Sequence, residues 1–452
     1  MASVSKAMTS SRRLVQAARL GVRGAQTAPQ TAAPGISAPL APSPATAALI
    51  KQEEKFGAHN YKPLPVAIKR AQGVFMWDVD NKRYYDFLSA YSAVNQGHCH
   101  PRIVKALTEQ AATLCLTSRA FHNDVLAHYE KFVTELLGYD KLLPMNTGVE
   151  ACETSIKLAR KWAYKVKGVP ENQAKIIFAE NNFWGRSLAA VSASTDPTAY
   201  RDYGPFLPGF KTIPYDDLPA LEAELKDPNV AAFMVEPIQG EAGVVVPSDG
   251  YLAGVRSLCT KYNALFIADE VQSGLGRAGA RLCVDNSKGR MSQVRPDLVT
   301  LGKALSGGVY PVSAVVGDDE VMTTIRPGEH GSTYGGNPIA CKVGIEALRV
   351  LEEEKLAENA VRTGALLRDE LKKLSPEVIK IVRGVGQFNA IVIDAKYDAM
   401  DVCLRLRDRG LLAKPTHGDK IRFTPPLVIS EEQIMDCVGI IKSVVEDLLR
   451  VK

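Results

Sequence analysis

Three apolar runs end in groups able to do chemistry. AAFMVE closes on Glu236 with Gly240-Glu241 just beyond, ALFIAD closes on Asp269 and continues into Glu270-Val271-Gln272, and DLVTLG leads into Lys303. A core strand that delivers a lysine into small residues (Ala304, Ser306, Gly307, Gly308) lets backbone approach a ligand closely. Burial there disfavours the ammonium form and lowers its pKa, the condition for an amine that must form a Schiff base. The acid at the end of ALFIAD has a matching use. Held against the ring nitrogen of pyridoxal phosphate, it keeps that nitrogen protonated, and the protonated ring absorbs the electrons left when a substrate carbon is deprotonated. Each group has a plainer reading by itself: Lys303 as a strand-end lysine whose head snorkels to solvent, Asp269 as a turn or capping aspartate.

The phosphate of such a cofactor asks for backbone donors at a helix start. Asn146-Thr147-Gly148-Val149-Glu150-Ala151 offers them at the entry to a helix bearing Lys157 and Arg160, with the positive end of the helix dipole toward an anion. Gly331-Ser332-Thr333-Tyr334-Gly335-Gly336 is a second cradle of glycines and hydroxyls. Neither is a nucleotide P-loop, and each alone is a tight turn. Asn182-Phe183-Trp184-Gly185-Arg186 adds a ring that can stack and an arginine suited to a carboxylate. Taken together in one chain, these signals outweigh their separate readings.

The elements that must position these groups alternate. A hairpin is expected at Gly73–Asp86 with Asp80-Asn81 as its turn, then helices at Pro101–Leu116, Asp124–Leu137 and Glu150–Lys167. Strands follow at Lys175–Ala179, Val230–Glu236 and Ala264–Asp269, with helices after Gly185 and at Leu252–Tyr262 between them. Short, continuously apolar strands imply a sheet covered on both faces, so the prediction is an α/β domain with a mainly parallel central sheet and its ligand at the carboxyl ends of the strands. Beyond one long helical region, Ile339–Leu374, the pattern changes to strands at Phe388–Asp394, Leu411–Lys414 and Lys420–Phe423 and helices at Ala399–Arg409 and Glu431–Arg450, a smaller α+β domain.

Bulk properties narrow the class. The chain has 452 residues, 46% hydrophobic and 23% charged, ordinary for globular protein. Its formal net charge of +5 is accounted for by Lys6, Arg12, Arg13, Arg19 and Arg23, since residues 1–50 contain no acid. The remainder is neutral overall, which argues against a nucleic-acid surface. Residues 1–25, rich in Ser, Ala and Arg, have the composition of an organelle transit peptide, and residues 26–48 read as a disordered spacer. The 8 cysteines lack a Cys-x-x-Cys pair and read as reduced thiols; His98-Cys99-His100 has no second cluster, so no metal site is expected. No membrane span is expected.

HNYKPLP, SAYSAVNQGHCHP, NTGVEA, NFWGR, EPIQGEAGVVVP, FIADEVQSG, LGKALSGGVYPVSAV, GEHGSTYGGNP and IRFTPPL, in that order from about His59 onward, resemble the fold-type I, class III pyridoxal-phosphate-dependent aminotransferases. The resemblance implies a homodimer sharing active sites, with residues 1–50 as leader and spacer, 51–100 packing with the small domain, 101–345 as the large cofactor domain and 346–452 as the small C-terminal domain. It implies Lys303 as the lysine joined to the cofactor and the proton carrier, Asp269 as partner of the ring nitrogen, Gln272 at the ring hydroxyl and Phe183 as the stacking ring. Gly148 and Val149 fall at the phosphate turn, completed by Ser332 and Thr333 of a second subunit, and Tyr61, Tyr91, Arg186, Glu241 and Arg422 form the substrate shell. The activity implied is transfer of the δ-amine of L-ornithine to 2-oxoglutarate in a mitochondrial matrix, or else in cytoplasm. The runner-up substrates are N-acetylornithine and 4-aminobutyrate, disfavoured because two tyrosine hydroxyls left unpaired against an apolar substrate would cost about 1–3 kcal/mol each. A scaffold without activity is opposed by the intact Lys303, Asp269, Gln272 and Arg186. Cys152, where a smaller residue is expected, and the long Asp285–Arg295 loop depart from the family pattern, and neither is expected to touch the catalytic set.

Overall fold

The apolar runs become neighbouring strands of one sheet in a computed structural model that describes residues 38–285 and 293–450. Ahead of that sheet lie β1 (Ile68–Gln72), β2 (Phe75–Asp78) and β3 (Arg83–Asp86). β2 and β3 form the expected hairpin, its turn set by Asn81 at φ 64°, while β1 went unread because its residues are mostly exposed. The central sheet comprises β4 (Lys141–Met145), β5 (Lys175–Ala179), β6 (Phe210–Ile213), β7 (Val230–Val235), β8 (Leu265–Asp269), β9 (Leu298–Leu301) and β10 (Ser313–Gly317), in spatial order β4-β10-β9-β8-β7-β5-β6. Pairs among β5 to β9 are parallel, and β10 runs antiparallel to both β9 and β4.

Every residue of β7, β8, β9 and β10 is buried, which is why these strands read as unbroken apolar runs and not as alternating ones. Successive side chains still face opposite ways. Ala232, Met234, Leu265 and Ile267 pack with Cys152, Ile156 and Leu158 of the helix Gly148–Trp162, whereas Phe233, Val235, Phe266 and Ala268 pack in a second core with residues of the helices Leu126–Leu137, Tyr251–Lys261 and Pro338–Glu353.

The C-terminal part is an antiparallel sheet of β11 (Ile379–Val385), β12 (Phe388–Ile393), β15 (Lys420–Phe423) and β14 (Pro415–Thr416). β13 (Leu411–Leu412) leaves it to pair in parallel with β3, so the chain's two ends share a sheet. β11 was missed in sequence: its burial is mixed and Gly384 interrupts it. Two further expectations are corrected. The region Ile339–Leu374 is two helices, Pro338–Glu353 and Leu356–Lys372, broken where Lys355 takes a left-handed φ of 52°, and a domain boundary at 345 falls inside the first. The end of the supposed spacer is ordered: Ser43 caps a helix at Pro44–Phe56, and the Leu40 amide donates to Asp408 at 2.7 Å. The transit-peptide reading and residues 286–292 of the long loop lie outside the described residues. Among the described residues no helix is long and apolar enough to cross a membrane.

Candidate active site

Where β7, β8 and β9 end, a cavity of about 230 Å³ opens, and Gly148, Val149, Phe183, Asp269, Gln272 and Lys303 all line it. Lys303 follows the last residues of β9 in a left-handed conformation, φ 43°, at the start of a 3-10 turn. Burial pushes its ammonium pKa down, while Glu241, Asp269 and Glu236 pull it back up. Asp269, 4% exposed, accepts from the Val271 amide and from Thr300 Oγ1, both at 3.1 Å. Burial raises its pKa, opposed first by the Val271 amide and then by the Lys303 charge.

Cys152 is a correction. Expected clear of the catalytic set, it lines the cavity with its Sγ 3.7 Å from Asp269 Oδ2 and 3.9 Å from Thr300 Oγ1. The helix turn that presents Gly148 to the cavity brings residue 152 round to the same face one turn later. Burial and the neighbouring Asp269 push its thiol pKa well up, which makes it a packing group and not a nucleophile. Glu236 also lines the cavity, accepting from the amides of Phe183 at 3.0 Å and Gly240 at 3.1 Å. Burial, then repulsion from Asp269, raises its pKa to about 8. Sequence reasoning noticed Glu236 as a strand-end acid without giving it a role, and missed Thr300, whose only signal was a polar residue inside an apolar strand.

The residues present fit pyridoxal phosphate. Thr147 and Glu150 form a capping box that fixes the start of the helix Gly148–Trp162, so its first amides stand where an anion would be favoured. Gly185, at φ 146°, lets the Phe183 loop lie against this turn; a side-chain carbon there would sit 2.4 Å from Val149. Ser332 and Thr333 are not among the cavity's lining residues. Ser332 Oγ accepts from Asn146 Nδ2 at 2.9 Å and Thr333 is exposed.

A second cluster forms the rim. Arg422, on β15 and 3% exposed, donates through Nη1 to Glu241 Oε1 at 2.7 Å, to Gln272 Oε1 at 3.2 Å and to Gly240 O at 3.3 Å, while its Nε has no partner among the described residues. Burial would raise the Glu241 pKa, but Arg422 holds it below the ordinary value. Tyr91 covers the guanidinium, ring centroid 4.9 Å from Cζ. It stands in a turn whose residues Ser89, Ala90, Tyr91 and Ser92 all have positive φ, a conformation costing roughly 1–2 kcal/mol per residue. Tyr61, 73% exposed, and Arg186, whose guanidinium lies 5.3 Å from the Phe183 ring centre, stand further out.

Strand-end acids, a buried lysine and a phosphate cradle on a mainly parallel sheet define a fold-type I pyridoxal-phosphate enzyme, and residues 56–445 match the family model for class-III aminotransferases; the chain belongs to that family. Its cofactor is pyridoxal phosphate. The chain is 66% identical over 394 residues to the mitochondrial ornithine aminotransferase of Drosophila melanogaster, covering 87% of this chain and 90% of that protein. Among solved structures it resembles the ornithine aminotransferase of Toxoplasma gondii (TM-score 0.87, 47% identity, 90% of this chain and 96% of that one). It also resembles an acetylornithine aminotransferase from Elizabethkingia anophelis (TM-score 0.80, 53% identity, 89% and 99%).

Proposed function

We propose that this site moves the δ-amino group of L-ornithine to 2-oxoglutarate, giving L-glutamate 5-semialdehyde and L-glutamate. The observation that carries the reading is the Arg422–Glu241 pair at 2.7 Å beneath Tyr91. Pyridoxal phosphate, when bound, supplies an aldehyde that accepts an amine and a ring that takes up electrons. With it bound, Lys303 Nζ would carry the proton removed from the substrate's amine-bearing carbon, Asp269 would hold a proton at the ring nitrogen, Phe183 would stack on the ring and Gln272 would meet its hydroxyl. Gly148 and Val149 would hold its phosphate with their amides, and Ser332 and Thr333 of a second copy would complete that cradle in a homodimer.

Ornithine presents an α-carboxylate and an α-ammonium while its far amine reacts, whereas 2-oxoglutarate brings two carboxylates. Arg186 forks onto the α-carboxylate of ornithine, and Tyr61 and Tyr91 face its α-ammonium. A free Arg422 would misdirect that carboxylate, so Glu241 neutralises it; when 2-oxoglutarate enters, Glu241 releases Arg422 to its α-carboxylate and Arg186 takes the γ-carboxylate. The likeness to an acetylornithine aminotransferase keeps a second reading in play. Absorbance separates them: the near-visible band of the bound cofactor should bleach on adding L-ornithine and hardly respond to N-acetylornithine or 4-aminobutyrate, and the reverse order sinks the ornithine reading. We further read residues 1–25 as a mitochondrial import segment, in keeping with the mitochondrial relative in Drosophila; an N-terminus retained at residue 1 in cell extracts contradicts it.

A further inference from the structure

We propose that Asp86 and Thr424 are positioning residues for amine selection, acting through the left-handed turn that carries Tyr91. The proposal rests on the reading of Tyr91 as a substrate contact. Four successive non-glycine residues with φ of 49°, 46°, 63° and 71° do not hold themselves in place. The turn's serine hydroxyls give no help, since Ser89 Oγ and Ser92 Oγ are buried without a hydrogen-bond partner among the described residues.

Beyond the turn's own backbone bonds, from the Tyr91 amide to Leu88 O at 2.9 Å and from the Ala93 amide to Ser89 O at 2.8 Å, the restraint comes from outside. Asp86, 1% exposed, accepts through Oδ1 from the amides of Leu88 at 2.8 Å and Ser89 at 2.9 Å, which sets the entry to the turn. Its Oδ2 is tied to His98 Nε2 at 2.7 Å, fixing the carboxylate from the far side. Thr424, 2% exposed, donates its amide to Phe87 O at 2.9 Å and its hydroxyl to Leu88 O at 3.1 Å. It lies two residues after Arg422, so one short segment delivers the guanidinium to the rim and anchors the turn that lays Tyr91 over it. Beyond the turn, Asn95 continues the attachment: its carbonyl accepts from the Leu427 amide at 2.8 Å, and its side chain accepts from the buried Arg277 at 2.6 Å. Neither Asp86 nor Thr424 is among the residues lining the cavity around Lys303. Asp86 therefore reaches substrate through the tyrosine, and Thr424 shares that route beside its place on the segment that carries Arg422.

The test is single-turnover bleaching of the cofactor band in holoenzyme, with L-ornithine and with L-glutamate as separate amine donors. Asp86→Ala should cut kcat/KM for L-ornithine about tenfold or more, mainly through KM, while L-glutamate changes less than about threefold. Asp86→Asn, which keeps an acceptor for the two amides, should restore most of the loss. Thr424→Val should shift the same ratio in the same direction by a smaller factor, and Thr424→Ser should not. Equal losses for both donors, or Asn no better than Ala, overturn the proposal. Should Asp86→Ala fail to hold cofactor, Thr424→Val decides alone: an unchanged ratio overturns. Tyr91→Phe separates the two layers. If it leaves the ratio unchanged, the reading of Tyr91 falls; if it shifts the ratio while Asp86→Ala and Thr424→Val do not, only the positioning role falls.

Discussion

The floor of the cavity and its rim are held by different means. The floor is made of strand ends: Glu236, Asp269 and Lys303 stand at the ends of β7, β8 and β9, whose parallel ladders set the spacing before any side-chain contact is made. The rim is assembled from segments remote in sequence, joined by side chains. Arg422 reaches Glu241 from β15, Thr416 Oγ1 donates to Glu241 O at 2.7 Å, and Tyr91 comes from a strained turn between the N-terminal hairpin and the helix Pro101–Thr113. A ladder is rigid and indifferent to substrate; side-chain ties can be rearranged. The floor is thus suited to a fixed reaction and the rim to alternating between two substrates in one site.

The comparison breaks most plainly at Lys303. Lys303→Ala should lower kcat by about 10³-fold or more, since a positioned acid or base contributes roughly 10²–10⁴-fold, while cofactor is still held noncovalently. Steady-state assay beside cofactor absorbance checks this, and near-normal turnover would undo the assignment of the floor. Asp269→Asn comes next, with a fall of about 10²-fold or more in both half-reactions, because the ring nitrogen loses the charge that keeps it protonated. A loss confined to one amine donor would mean that Asp269 serves the rim instead.

That division also decided what could be read in the sequence. The floor was legible because ALFIAD and DLVTLG each write a buried strand and its terminal group in one stretch, and the class and fold followed. The rim was reached only through resemblance: nothing in the spacing of Tyr91, Glu241 and Arg422 says that they meet, since their contact depends on how β15 docks against the loops after β7 and β8. Cys152 was misjudged for a related reason, because helical phase was not carried from Gly148 to the next turn. The strain at Ser89–Ser92 was invisible, as none of its residues is a glycine that would flag positive φ. β11 and the break at Lys355 were lost to mixed burial and to a stop signal that used lysine where glycine is usual.

Within the rim, Glu241→Ala should slow the L-ornithine half-reaction by about tenfold more than the L-glutamate half-reaction, because a bare Arg422 then competes for the wrong carboxylate. Pre-steady-state bleaching with each donor measures it, and equal losses would refute the switch.

The smallest effect contrasts two carboxyls of opposite fate, one buried and one half-buried. Glu236, in the floor, has its pKa raised from 4.5 to about 8, first by burial and then by Asp269. The folded chain keeps a proton there that the unfolded chain releases near its ordinary value. Its contribution to stability is therefore full below the unfolded pKa and lost as pH rises toward about 8. Glu241, in the rim, is pushed up by burial but held below its ordinary value by Arg422. Its contribution is present above the unfolded pKa and lost as pH falls through the folded one. In cofactor-free protein, thermal midpoints from about pH 4 to about pH 8.5 should show Glu236→Gln gaining on wild type as pH rises, and Glu241→Gln losing ground over the lower part of that range. Slopes of the same sign for both variants would mean that burial alone governs the two groups, and that the Arg422–Glu241 pair is too weak to set the charge of the rim.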